Sequence, residues 1–242
     1  MNQLFNLILY QPFLNLLVFF YNTIALHDLG LSIIFLTLFV KIILYPLSIS
    51  QIKAQKSLAE IQPKLAEIKK RCGDNREKLA QETMEIYRTH KINPFSSCLP
   101  LLIQFPILLA IYQVFRSGIL MENLPLYSFI YNPGRLNPIA FGFINLAQKS
   151  FPLTLLTGLA QYFQAKMLST KKPPAEVSKE KTAKDESMTA LLNKQMLVMM
   201  PIFTVVIGMT LPSGLVFYWL VNLILTVIQQ IFIFNKREII KT

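Results

Sequence analysis

Long apolar stretches alternate with charged or irregular ones along the whole chain. The first, residues 1–22, is apolar and aromatic but interrupted by Asn2, Gln3, Asn6, Gln11, Pro12 and Asn15. That mixture predicts a helix lying in a membrane interface, with a spanning helix as the alternative. Leu29–Leu47 is nineteen residues of almost unbroken apolar character, the length a helix needs to cross a bilayer core. Further runs cover Phe95–Phe115, Ala147–Leu168, Met196–Leu211 and Gly214–Phe234, the last two parted by Pro212-Ser213. The pattern predicts an all-α integral membrane protein with five transmembrane helices, and five crossings put the termini on opposite sides.

The segments between the runs are of different kinds. Residues 50–93 carry ten basic and six acidic side chains, and Leu58, Ile61, Leu65 and Ile68 recur at helical seam spacing. RCGDN at 71–75 supplies a turn, and Leu79, Thr83, Ile86 and Tyr87 carry the seam back. A two-helix hairpin is expected there. Residues 116–146 read as an irregular loop with Pro125, Pro133, Gly134 and Pro138, and 169–194 as a flexible polar loop. The resulting organisation is an interfacial segment 1–28, a first span 29–49, the hairpin 50–93, four further spans within 94–234, and a tail 235–242.

Charge orients these parts. Of the 24 Lys and Arg, twenty fall in 50–93, 166–194 and 235–242. Residues 1–28 hold none, and 116–150 holds only Arg116, Arg135 and Lys149. The bias toward the cytoplasmic side places the hairpin, the polar loop and the C-terminus inside and the N-terminus outside.

The remaining cation, Lys41, lies within the first apolar run, where a charge costs about 2.5–3.5 kcal/mol to insert. Five residues on, Pro46 denies the carbonyl of Ile42 its helical partner. A helix carrying both should turn that side to protein or water. The plainer alternative is that Lys41 snorkels past Leu47, six residues or about 9 Å away. Polar side chains repeat on the later runs too. Thr154, Thr157, Gln161 and Gln164 share one helix face, Asn222, Thr226 and Gln229 another with Gln230 alongside, and Gln104 and Gln113 lie on the second run. Hydrogen bonds between helices would account for each singly. Together with Lys41, which has no acidic residue within any span to pair with, they suggest a hydrated cavity.

Composition narrows the chemistry. Cys72 and Cys98 form no CxxC, His27 and His90 are isolated, and GxGxxG, GxxxxGK[ST], HExxH and GxSxG do not occur. No catalytic, cofactor-binding or metal-binding residue is expected, and the chain does not read as an enzyme.

LFVKIILYPLSISQIKAQKSLAEIQPKLAEIK, NPFSSCLPLLIQFPILLAIYQVF and LPSGLVFYWLVNLILTVIQQ occur in that order and closely resemble the YidC/Oxa-type membrane protein insertases, over residues 20–236. The resemblance implies a five-helix core around a hydrophilic groove, in a short form without the large extracytoplasmic domain. It implies insertion and folding of newly made membrane proteins without nucleotide hydrolysis. Lys41 stands where the family usually carries arginine, keeping the charge but not the planar five-donor fork. In that scheme Lys41, Gln104, Thr157, Gln161 and Asn222 line the groove, and Phe163, Met167, Phe217, Tyr218 and Trp219 meet the apolar part of the substrate. Implied partners are nascent membrane proteins and the lipid bilayer, with ribosome and signal-recognition machinery at 50–93 and the Sec translocon beside the core. No sequence-specific nucleic-acid binding is implied. The bacterial plasma (inner) membrane is the expected location, since residues 1–22 lack the basic residues of a transit or signal peptide. Two rival readings are a small transporter with Lys41 as an anion site and a scaffold that inserts nothing.

Overall fold

In the computed structural model of the chain, residues 3–73, 75–90, 92–93, 99–120, 123–168 and 195–239 are described. The polar loop 169–194 and Cys98 lie outside them. The protein is mostly helical. Helix α1 covers Gln3–Thr23, with a π-helical stretch at Asn6–Tyr10. It is followed by α2 (Leu29–Ile43), α3 (Tyr45–Cys72), α4 (Arg76–Thr89) and α5 (Leu99–Leu120). A two-stranded hairpin, β1 (Ile139–Ala140) and β2 (Ile144–Asn145), precedes α6 (Phe151–Leu168), α7 (Met200–Gly208) and α8 (Ser213–Ile239).

By length and composition alone, α1 and the Ser213–Phe234 part of α8 suffice to cross a membrane, and α2 with the start of α3 makes a third candidate. The apolar segments Leu102–Ser117 and Leu197–Gly208 are shorter. The expected single span 29–49 is broken. Helix α2 stops at Ile43, Leu44 adopts φ −85° and ψ 7°, and α3 leaves at 75°. Pro46 then falls in the first turn of α3, where its missing N–H costs nothing.

The main core is one cluster drawn from α1, α2, α5, α6 and α8. Leu14, Leu17 and Val18 of α1, Ile33 and Leu36 of α2, Ile111 and Val114 of α5, and Leu215 and Val216 of α8 are buried in it. Helix α1 is thus built into the bundle rather than appended to it. The segment between α5 and α6 is tied down by long-range hydrogen bonds. Tyr127 N donates to Asn15 Oδ1 at 2.7 Å, Asn22 Nδ2 to Tyr131 O at 2.7 Å, and Asn137 N to Tyr21 OH at 3.3 Å. Asp28 caps α2 by accepting from Leu31 N at 2.9 Å, and its second oxygen accepts from Phe141 N. Phe141, with φ +54°, sets its ring against Gly30 and 5.7 Å from the ring of Phe217. These contacts close one end of the bundle with aromatic packing.

Helices α3 and α4 pack against each other as a hairpin, with α3 beginning at Tyr45. Leu58, Ile61 and Leu65 are buried against Ile86, Tyr87 and Ile92. Gly73, at φ +53°, makes the turn with the backbone freedom a side chain would restrict, and Asn75 Oδ1 caps α4 by accepting from Lys78 N at 3.0 Å.

Candidate functional site: a cation in a polar seam

Lys41 sits in the last turn of α2, because the helix ends two residues later. A cation there faces the helix's unpaired C-terminal carbonyls, which offsets part of its insertion cost. Its Nζ donates to Thr226 Oγ1 of α8 at 2.8 Å, and Thr226 in turn donates to Asn222 O at 2.7 Å. Asn222 Nδ2 lies 3.4 Å from Gln104 Oε1 of α5, and Gln104 Nε2 donates to Tyr218 OH at 3.0 Å. Three helices therefore contribute to a polar seam through an otherwise apolar bundle. An ammonium carries three donors, and Thr226 takes one. Among the described residues no carboxylate lies within 4.0 Å of Lys41; the one ion pair there is Arg71 with Glu82. The seam can thus attract an anionic group without releasing a resident one.

The seam unites three of the five expected groove residues, Lys41, Gln104 and Asn222. Thr157 is wholly buried and spends its hydroxyl on Leu153 O at 2.8 Å. Its neighbours Thr154 and Gly158 explain the face it belongs to: Thr154 packs on Gly208 and Gly158 on Val205, so this part of α6 is a close-packing surface for α7. Gln161 Nε2 pairs with Gln164 Oε1 at 3.4 Å on the same helix. Of the expected apolar contacts, Phe163 is exposed on α6, while Met167 and Trp219 are half-buried. Phe217 is buried against Phe141, and Tyr218 is buried with its hydroxyl in the seam. Thr226 is the seam residue outside the expected set. Its spacing from Asn222 on one helix face was the signal for it, whereas the polar use of Tyr218 leaves no mark in an apolar run.

Outside the membrane-spanning parts, the hairpin holds a cleft of about 690 Å³ lined by Lys64, Glu67, Arg71, Glu82, Glu85 and His90 among others. The hydrogen bond from Arg71 holds the Glu82 carboxyl below its ordinary value, and burial raises the Cys72 thiol.

A mostly helical membrane protein whose buried cation meets no carboxylate among the described residues, in a seam of amides and hydroxyls, is the class these observations define. Residues 19–240 match the family described as "60Kd inner membrane protein", and the chain belongs to that family. It is 34% identical over 232 residues to a membrane protein insertase YidC of Fusobacterium nucleatum subsp. nucleatum, covering 94% of this chain and 98% of that one. It is 30% identical over 228 residues to the YidC of Magnetococcus marinus, covering 94% of this chain but 36% of the relative. The YidC of Actinobacillus pleuropneumoniae serotype 3 is 32% identical over 228 residues, with 37% of its length covered. The chain thus spans about a third of the long relatives and nearly all of the short one.

Proposed function

We propose that this protein is a membrane protein insertase, in which Lys41 draws a polar, often acidic, segment of a newly made protein into the seam while the substrate's apolar helix passes into lipid. The observation that carries this reading is the Lys41 ammonium, held by Thr226 and facing no carboxylate among the described residues. At an effective dielectric near 20, a carboxylate 4 Å from it gains about 4 kcal/mol before desolvation. The family relatives bearing the insertase name support the same assignment. The substrate's own apolar burial, about 25 cal/mol per Å², supplies the drive toward lipid, so no nucleotide is required.

In this reading α2, α5, α6, α7 and α8 span the membrane, with the hairpin and C-terminus cytoplasmic by the charge bias. Helix α1 lies obliquely in the outer leaflet. Tyr10 OH donates to Ser117 Oγ at 2.8 Å, three residues from the end of α5, while Phe20 packs 6.0 and 6.2 Å from Phe35 and Phe39 of α2. An upright α1 would set Tyr10 about 15 Å deeper than Phe20, far below Ser117. Asn15 and Asn22 of α1 each bond to the backbone of the loop between α5 and α6, which suits that position. The hairpin and its basic residues are the surface for ribosome and targeting factors, and a translocon would meet the exposed side of α6. The bacterial plasma membrane is the location this implies.

The test is insertion of a single-span substrate with an acidic N-terminal tail into proteoliposomes containing wild type, Lys41→Arg, Lys41→Ala or Lys41→Glu. Arg should match wild type, and Ala and Glu should fail. Equal insertion by all four would remove Lys41 from the mechanism. Failure of wild type itself would favour a non-inserting scaffold.

A further inference from the structure

Residues 123–150, between α5 and α6, hold two charges in 28 residues, Arg135 and Lys149, and no acidic residue. A chain in water averages about a quarter charged residues. The backbone of this loop is fixed by polar bonds. Tyr127 N and Tyr131 O meet Asn15 and Asn22 of α1, and Phe141 is held over the start of α2. What the fixed backbone turns outward is apolar. Phe129, Tyr131 and Phe143 are 78%, 80% and 79% exposed, and Leu26, in the turn between α1 and α2, is 82% exposed. Rings this free do not hold the loop in place. Leu26 and His27 stand at φ +50° and +59°, a backbone region that side chains disfavour. The turn keeps them there through His27 N to Tyr21 O at 3.2 Å and Asp28 N to Ala25 O at 2.8 Å.

Exposed apolar groups gathered on one face mark contact with another protein or with a membrane. Two observations select lipid. The face continues the side of α1 that the bundle leaves uncovered: Asn22 holds Tyr131, and Phe19 and Ile24 beside it are exposed, on a helix long and apolar enough to cross a membrane. The composition, tyrosine and phenylalanine with two basic residues and no acid, is that of a segment at headgroup level.

We propose that the loop between α5 and α6, with the turn at Leu26, is seated in lipid. Leu26, Phe129, Tyr131 and Phe143 lie among the headgroups and upper acyl chains of the leaflet that holds α1, and they fix the depth of that end of the bundle. The anchor needs only that α1 and α2 lie in the membrane, so its loss would leave the role of Lys41 untouched.

Trp219 is the one tryptophan of the chain. In a Trp219→Phe background of the full chain in phosphatidylcholine vesicles, Phe129→Trp, Tyr131→Trp and Phe143→Trp each report on one ring. Gln81→Trp, exposed on α4 of the hairpin, reports on water. The three loop tryptophans should lose emission when the lipid is brominated high on its acyl chains and should resist iodide, and Gln81→Trp should do the reverse. Wild type should be photolabelled within 127–143 by a lipid carrying a diazirine near its glycerol, a readout that stands even where a tryptophan variant does not fold. Loop tryptophans as open to iodide as Gln81→Trp, or wild type without labelling there, would overturn the proposal by placing the loop in water. Shielding from both quenchers that weakens as the protein is diluted in lipid would overturn it too, by giving the face to a second copy.

Discussion

Gly30 occupies the first turn of α2 where the outer aromatic packing comes closest to a helix backbone. A Cβ there would meet Phe141 Cε2 at 2.7 Å and both Phe141 Cζ and Ala140 Cβ at 2.8 Å. Comfortable carbon contacts lie near 3.5–4.0 Å, so something must move by nearly 1 Å. The ring has little room to do so. Its own backbone amide is held by Asp28, and its edge packs on Phe217 at 5.7 Å. Overpacking of this kind costs about 1–3 kcal/mol. Removing a glycine from a helix returns at most about 0.5–1 kcal/mol. Gly30→Ala should therefore destabilise the protein by about 1–2 kcal/mol. In a Phe141→Ala background the ring contacts are gone and only the Ala140 Cβ contact at 2.8 Å is left, so the same change should cost clearly less. The coupling energy in the double-mutant cycle is then the ring's share of the clash, about 1 kcal/mol, above the ~0.5 kcal/mol scatter of independent sites. Reversible unfolding in mixed micelles of rising SDS fraction, followed by circular dichroism, measures all four proteins. Additive effects, or a single Gly30→Ala change that costs nothing, would refute the argument that Phe141 is clamped in place.

Two further outcomes are expected. Asp28 both caps α2 and holds the Phe141 amide, so Asp28→Ala should cost about 1–2 kcal/mol in the same unfolding assay, with Asp28→Asn losing less because an amide oxygen still caps. In the hairpin, Arg71 keeps the folded-state Glu82 carboxyl below its unfolded value. Its contribution is present above the ordinary glutamate range and is lost as pH falls through the lowered folded value. The pair is largely exposed on the Arg71 side, so the effect is small and screened by salt. Amide protection near the 71–76 turn, taken relative to the intrinsic exchange rate at each pH, should fall on acidification in wild type, and Arg71→Gln should abolish the difference.

Much of this protein is written in local pattern. The apolar runs and the 58–61–65 seam of the hairpin each arise from neighbours in the chain; the runs reappear as helices, those at Leu102–Ser117 and Leu197–Gly208 shorter than a span, and the seam as a buried face. The break after α2 was foreshadowed by Pro46, although its place at Leu44 and its 75° angle were not. Lys41 was legible as a charge in the wrong solvent, and the 222–226 spacing as a polar face.

What the tertiary structure alone decided is which polar groups meet. Thr154, Thr157 and Gln161 share one period with identical claims on a groove, yet Thr154 packs its methyl on Gly208, Thr157 turns to its own backbone, and Gln161 pairs with Gln164. Tyr218 sits in an apolar run and joins the seam because α5 brings Gln104 within 3.0 Å of its hydroxyl. The irregular loop owes its order to Asn15, Asn22 and Asp28, more than a hundred residues away in the chain. Periodicity reports the face on which a side chain stands. Whether that face meets glycine, lysine or a loop amide depends on helix packing between distant segments, and no local pattern encodes it.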